Sequence, residues 1–324
     1  MKDIKGIFKI KIIWITLIAN NLYLYSTKIH PDAGSTSAQF LKIPVGAYYS
    51  SLGGSVINIR EDILSSFYNP SFIANYKNKI FNISHNFHIS DINQSYIAFG
   101  NKVNNLFNTK GYFVISLNWL NIADLEKRSG LYESSSYDPS PIEERFKAND
   151  FSIMFSYGFE YKDVVNSGFS IKYISQKIDN LYSATIAFDI GVNKEILIKD
   201  KNYNIDFAIN NIGRGIKFET KRYKLPLLFR VGGWSDFWDL KVSFNILKYI
   251  DNYPYFILGF SKDINSYLDI RAGYRYRFYG NELGFWSGVS FGIGFSYNKF
   301  RFDYSLNPYG ELGYSHKVSL NFKY

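Results

Sequence analysis

The sequence predicts an all-β chain, an antiparallel transmembrane β-barrel of about fourteen strands around a small N-terminal plug or hatch containing short helices. Three observations predict it. From residue 80 onward, apolar and polar side chains alternate repeatedly in segments about ten residues long. Aromatic residues make up 19% of the 324 residues, with 28 Tyr and 29 Phe, yet mean hydropathy is only -0.16. Beyond the N-terminus no apolar run approaches the roughly 18 residues that a spanning helix needs, so a membrane would be crossed by strands.

Residues 1–26 read as an export signal. Lys2, Lys5, Lys9 and Lys11 precede an apolar stretch from Ile12 to Leu24, interrupted only by Thr16, Ala19, Asn20 and Asn21. Without this segment, whose lysines outnumber its single Asp3, the formal net charge falls from +9 to about +6. That surplus is spread along the chain and does not form the basic stripe of a nucleic-acid binder. The absence of cysteine excludes disulfides, thiolate metal sites, a cysteine nucleophile and a lipidated N-terminal cysteine.

Residues 27–79 do not alternate. Gly46, Gly53 and Gly54 are flexible points and Asn69-Pro70 is a break. A compact piece with short helices, seated in a barrel mouth, is the expectation for this segment.

Residues 80–324 form the expected barrel. In Phe151–Tyr161 every odd position is aromatic or aliphatic. Val289–Tyr297 repeats the pattern with Ser290, Gly292, Gly294 and Ser296 on its other face. Leu268–Phe278 sets Asp269, Arg271, Gly273, Arg275 and Arg277 against an apolar row. The same test places strands near 80–90, 94–101, 111–120, 149–161, 167–177, 183–194, 203–211, 225–234, 239–248, 254–261, 267–278, 286–297, 299–306 and 314–324. Alternation alone also fits a soluble sandwich. Long aromatic faces favour the membrane, as do aromatics at strand ends: Trp119, Tyr161, Tyr203, Trp234, Trp238, Tyr253, Tyr255, Trp286, Tyr297 and Tyr324. The connections 121–148 and 212–224 are expected to face outward, the second carrying Arg214, Lys217, Lys221, Arg222 and Lys224. Asn298-Lys299 is a tight inner turn, whereas 102–110 and 195–202 look long for inner connections. The segment from His316 to Tyr324 reads as the closing strand.

The chemistry-bearing residues are few. His85 and His88 are three apart in a strand, so they point to opposite faces and cannot share a metal. Gly292-Ile293-Gly294 lies inside a strand and lacks the helix of a phosphate loop. Ser315 and His316 are strand neighbours that face apart. No nucleophile and base come together, so neither an enzyme nor a cofactor is expected. The wet face carries Lys172, Asp189, Asp206, Arg230, Lys241, Asp269, Arg271, Arg275, Arg277, Arg301, Asp303 and Lys317. Two readings stand for Arg230, Arg271, Arg275, Arg277 and Arg301: a site for an anionic head group, or a lining salt-bridged to Asp269 and Asp303. The acidic partners on the same strands favour the lining.

Phe40-Leu41-Lys42-Ile43, Val45-Gly46-Ala47, Gly53-Gly54, Glu61-Asp62 and Asn69-Pro70 occur in the order seen in FadL-like outer-membrane proteins. With Asp303-Tyr304 and Leu312–Leu320 near the end, they resemble most closely the PorV/PorQ-type family. The chain departs from that pattern at Tyr48, where the family often has Arg, and at Ser71, where it usually has Ala. The resemblance implies a 14-stranded barrel of the cell outer membrane with a hatch marked by Phe40, Leu41, Gly53, Gly54, Asp62, Asn69 and Pro70. It also implies insertion by the outer-membrane assembly machinery and contact with outer-membrane lipid. One function it implies is passage of hydrophobic or amphipathic small molecules such as long-chain fatty acids. The alternative is a subunit or shuttle working with secretion-system proteins in export and surface attachment.

Overall fold

The computed structural model describes residues 29–58, 60–106, 109–128, 142–162, 164–198, 201–278 and 284–324. The export-signal segment, residues 1–26, lies outside the described residues. Fourteen antiparallel strands close a barrel: β1 (Ile80–Phe87), β2 (Asn93–Leu106), β3 (Thr109–Arg128), β4 (Ile142–Tyr161), β5 (Val165–Ile178), β6 (Leu181–Ile198), β7 (Lys201–Gly213), β10 (Leu228–Phe237), β11 (Leu240–Tyr249), β12 (Tyr255–Asp263), β13 (Leu268–Arg277), β14 (Val289–Tyr297), β15 (Phe300–Pro308) and β16 (Tyr314–Lys323). Between β7 and β10 a small hairpin, β8 (Ile216–Phe218) with β9 (Lys221–Tyr223), stands apart from the barrel sheet. Each barrel strand pairs with its sequence neighbour, and β1 closes on β16 in a register running from Ile80↔Lys323 to Phe87↔His316. The closure continues one step past the strand, where the Tyr324 amide donates to the Lys79 carbonyl at 2.8 Å. No edge is left open.

Burial decides between sandwich and membrane barrel. The apolar row is the exposed one: Ile153, Ile171, Phe188, Phe229, Ile270, Phe295 and Phe302 all stand between 41% and 49% exposed. Their polar neighbours Ser152, Ser170, Asp189, Arg230, Asp269 and Asp303 are buried. A soluble sandwich would reverse this, so the barrel is built to face lipid and keep its polar side chains in the lumen.

The ends of the barrel differ. At the end carrying Lys79 and Tyr324 the turns are short, including Leu106 to Thr109, Ile198 to Lys201 and Tyr297 to Phe300. The two inner connections expected to be long are therefore short, because β2, β6 and β7 extend beyond their alternating cores. Short turns mark this as the periplasmic end. At the outer end β3 and β4 reach to Arg128 and start from Ile142, so much of the expected loop 121–148 is a two-stranded arm; residues 129–141 at its tip lie outside the described residues. The connection 212–224 contains the β8–β9 hairpin. Residues 286–288, expected in a strand, belong to a 3-10 turn, Phe285–Gly288.

Two expected girdle aromatics turn inward. Trp234 is only 6% exposed and packs in the cluster under the plug, while Tyr255 packs with Leu228, Leu247, Tyr249 and Ile257. Their luminal neighbours are large apolar groups of the plug and wall, which a polar residue there could not match. Tyr157, in the outward row, is also buried. Its ring lies over Gly111 of β3, and its hydroxyl meets the Thr109 hydroxyl at 2.9 Å.

Candidate functional site: the plugged lumen

The lumen is occupied by the plug, whose described residues from 36 to 76 include a 3-10 turn Gln39–Lys42, a short α-helix Ala47–Ser51, and 3-10 turns Ile63–Phe67 and Pro70–Ile73. The last two of these short pieces start at side-chain caps, the first two do not, and Pro44, Gly46, Gly53 and Gly54 interrupt the chain between pieces. Asp62 accepts from the Leu64 amide at 3.0 Å and Asn69 from the Ser71 amide at 3.0 Å, so each caps the turn that follows it. Burial pushes the Asp62 carboxyl up to about 6, against the opposing pull of that amide.

The wall receives the plug in two glycine troughs. Gly158, Gly168 and Gly191 stand side by side across β4, β5 and β6. A Cβ at any of them would overlap Asn69, Pro70 or the backbone near Ser71 and Ala74. Asn69 also donates from Nδ2 to the Val192 and Phe207 carbonyls at 3.3 and 3.2 Å. Across the lumen Gly259 and Gly273 are paired on β12 and β13, and a Cβ on either would press into Leu52. In an apolar cluster, Val45, Tyr49, Leu52, Ile63 and Leu64 of the plug pack with Tyr96, Ala98, Tyr112 and Val114 of the wall. Phe40 and Leu41 lie in a second cluster nearer the outer end, with Leu120, Ile174, Ala187, Ile216 and Leu225.

The five arginines fall into different settings. Toward the periplasmic end, Arg271 pairs with Asp303 at 2.5 Å and Asp269 at 3.2 Å, and Arg301 with the same carboxylates at 2.6 and 2.9 Å. The plug joins this cluster through Arg60, bound to Asp269 at 2.9 Å and to Asp263. Tyr48 presents its ring to the Arg271 and Arg301 guanidiniums at 4.8 and 5.5 Å, so an aromatic face, not a plug arginine, occupies that position.

Toward the outer end the wall cations reach plug backbone. Arg275 donates to the Gly53 carbonyl from Nε at 2.9 Å and Nη2 at 2.6 Å. Arg230 donates to the Gly54 carbonyl at 3.4 Å and to Asn245 Oδ1 at 3.2 Å. Lys317 donates to the Pro44 carbonyl and to Ser50 Oγ. Gly53 and Gly54 have φ of +72° and +90°, which turn both carbonyls toward the wall; Gly54 also lacks a Cβ that would strike Arg275. Arg277 stands further out, with its guanidinium 5.9 Å from the Tyr255 ring.

An outer anchor was not legible in the sequence. Asp251, in the β11–β12 turn, accepts from Thr36 Oγ1 at 2.6 Å and from Lys42 Nζ at 2.5 Å. Burial raises its carboxyl, but these hydrogen bonds outweigh that and hold it below the usual carboxylate range. Lys42 is lowered as well, because burial outweighs the raising effect of its hydrogen bond and ion pair with Asp251. The luminal glycines were visible as polar-face positions without side chains. Asp251 gave no comparable signal.

Two voids between plug and wall are small. One of about 20 Å³ lies among Arg230, Arg275, Tyr68 and Tyr249, and one of about 30 Å³ beside Arg277 and Tyr309. Each has room for about one or two waters and none for a drug-sized ligand. Larger spaces open at the mouths: about 440 Å³ at the periplasmic end around Arg60, Asp62 and Lys323, and about 390 Å³ at the outer end beneath the β8–β9 hairpin. On the lipid face a shallow apolar groove of about 450 Å³ crosses β6, β7, β10 and β11 over Gly232-Gly233. The plug fills the lumen, so transit through it would require the plug to move.

No protein-family model matches the chain, and no curated protein matches it in sequence. Among solved structures it is similar to the toluene transporter TbuX of Ralstonia pickettii, with TM-score 0.55 and 11% identity over 86% of this chain and 97% of that one. The CymD monoaromatic hydrocarbon channel gives a TM-score of 0.57 at 10% identity, with the same coverage. A FadL homologue from Pseudomonas aeruginosa gives 0.50 at 10% identity, over 86% of this chain and 98% of that one. The chain shares the closed-barrel fold of these structures.

Proposed function

We propose that this chain is an outer-membrane barrel that passes hydrophobic or amphipathic small molecules, of the size of long-chain fatty acids, by displacement of its N-terminal plug. The observation that carries this reading is the plug itself. A polar lumen is stopped by a segment seated on glycine troughs and apolar contacts, and attached on its outer side through hydrogen bonds to three wall cations. A permanently structural filling would need no such neutral, exchangeable attachment. The apolar groove over Gly232-Gly233 and the architecture shared with hydrocarbon and toluene transporters support the same substrate class.

The plug-motif residues Phe40, Leu41, Gly53, Gly54, Asp62, Asn69 and Pro70 are then the parts that seat and release the hatch. Of the arginines, Arg230 and Arg275 hold carbonyl oxygens that an anionic head group could replace, whereas Arg271 and Arg301 are already matched by carboxylates. The test is extraction of the full chain from native membranes in an uncharged detergent, followed by analysis of bound lipid. Recovery of a stoichiometric single-chain amphiphile or apolar ligand is expected. Recovery without such a ligand, in stable complex with secretion components, would overturn it.

A second reading, a PorV/PorQ-like subunit or shuttle for protein secretion and surface attachment, is favoured by one feature. The β3–β4 arm extends past the paired register of its neighbours, offering an outer-end surface that passage of a small molecule does not need. The same extraction distinguishes the two.

A further inference from the structure

Among the described residues five aspartates of the barrel are buried, and four of them meet a cation: Asp189 with Lys172 at 2.8 Å, Asp251 with Lys42 at 2.5 Å, Asp269 with Arg301 at 2.9 Å and Asp303 with Arg271 at 2.5 Å. Asp206 on β7, only 2% exposed, is the exception. Among the described residues no cation lies within ion-pair distance of it, and neither of its carboxylate oxygens receives a well-formed hydrogen bond. The Asn69 amide approaches it, but that amide donates to the Val192 and Phe207 carbonyls. Burying a carboxylate unpaired is costly, so the closed lumen carries an interaction that has not been made.

The cation that could make it stands on the next strand. Arg230 of β10 is opposite Ala208, and Asp206 is opposite Gly232, so the two charges are diagonal neighbours on the luminal face of the β7–β10 pair. Diagonal positions lie roughly 7–8 Å apart, within reach of a side chain as long as arginine. The space that a Cβ on Gly232 would take holds Asn245 Nδ2, at 1.4 Å, with Asp206 Oδ2 beside it at 2.9 Å. Asn245 therefore stands between the charges, Oδ1 toward Arg230 and Nδ2 toward Asp206. In the closed barrel Arg230 is drawn elsewhere: its Nη atoms reach the Gly54 carbonyl at 3.4 Å and Asn245 Oδ1 at 3.2 Å, and its buried Nε meets no acceptor. Both contacts are long and both oxygens are neutral. Asn245 Oδ1 also accepts from the Val56 amide at 3.1 Å, so each acceptor of Arg230 is either on the plug or held by it.

We propose that Asp206 is the second station of Arg230. When plug residues 54–56 leave the wall, the guanidinium gives up the Gly54 carbonyl and Asn245 and pairs with Asp206, so the open barrel gains an ion pair that the closed barrel lacks. Without that carboxylate, release of the plug would strand a buried cation. With it, each position of the plug has its own partner for Arg230, and the gap between closed and open narrows. This inference rests on the reading that the plug moves and adds what the wall does once it has moved.

The experiment is single-channel conductance of the full chain in a planar bilayer, in the Arg275→Gln/Lys317→Gln background, where a loosened plug gives openings to count. Adding Asp206→Asn, which keeps the shape and removes the charge, should cut open probability about tenfold, the worth of one hydrogen-bonded charge pair. Asp206→Glu keeps the charge and should open like the background. With Arg230→Gln also present, Asp206→Asn should change open probability less than about twofold, because the cation that would move is gone. An unchanged open probability on Asp206→Asn, a fall that persists in full beside Arg230→Gln, or closure by Asp206→Glu as complete as by Asp206→Asn would overturn the exchange while leaving the passage reading intact. A background that never opens, with residues 44–56 as protected from hydrogen exchange as in the unmodified protein, would overturn both.

Discussion

At the periplasmic end of the lumen, Arg271 and Arg301 face the carboxylates of Asp269 and Asp303; at the outer end, Arg230, Arg275 and Lys317 face carbonyl oxygens of the plug. The first layer is mostly wall bound to wall, with β13 tied to β15 across β14, and its charges cancel. The second is wall bound to plug, and its acceptors are neutral. A buried cation paired with two carboxylates has no reason to exchange partners, whereas one held by a carbonyl gains from meeting an anion. On the proposed reading, the lower layer stiffens the barrel and the upper layer holds the part that moves.

The largest expected effect falls on the lower layer. Asp303→Asn leaves Arg271 and Arg301 sharing one carboxylate in a buried setting, so barrel stability should drop by about 3–5 kcal/mol, read as urea unfolding in lipid vesicles. A loss below about 1 kcal/mol would erase the distinction between the layers. Arg275→Gln should leave that unfolding nearly unchanged but cost the plug about 1.5–3 kcal/mol of attachment. Faster hydrogen exchange confined to residues 44–56 would show it, and exchange raised throughout the barrel would count against it. Gly168→Ala tests the seating from the opposite wall, since its Cβ would overlap Pro70. Overpacking should cost about 1–3 kcal/mol and raise exchange around residues 69–74, with the carbonyl contacts at Gly53 and Gly54 retained.

The smallest effect is a pH dependence. The Asp62 carboxyl is raised to about 6 in the folded plug, so the protonated form is the favoured one. Its contribution is complete below the ordinary carboxylate value and is lost as pH rises through about 6. Plug opening should become about tenfold easier between pH 5 and pH 7. Asp62→Asn keeps a cap for the Leu64 amide and should flatten that dependence, measured as plug exchange corrected for the intrinsic effect of pH.

Most of the barrel was legible because period-two alternation is a local signal. Phe151–Tyr161 and Leu268–Phe278 announce their two faces without reference to any neighbour. Strand ends were less so: β3 and β4 continue past Leu120 and before Asn149 with charged residues that pair across the arm, where no apolar face marks the strand. The inward turns of Trp234 and Tyr255 were illegible for a related reason, since an aromatic at a strand end reads the same whether lipid or plug covers it. Among site residues, parity put the arginines in the lumen, but which oxygen each one meets depends on where residues 44, 53 and 54 lie. That is set by the long-range fit of glycines on β4, β5, β6, β12 and β13, which no single segment displays.

The most direct test of a held but movable plug is conductance across a planar bilayer. The unmodified barrel should stay closed for most of the record, and Arg230→Gln/Arg275→Gln/Lys317→Gln should give frequent, well-resolved openings with the barrel still folded. If the triple variant is as closed as the unmodified protein and its residues 44–56 are equally protected from exchange, the outer cations do not hold the plug and the distinction between the two layers is wrong.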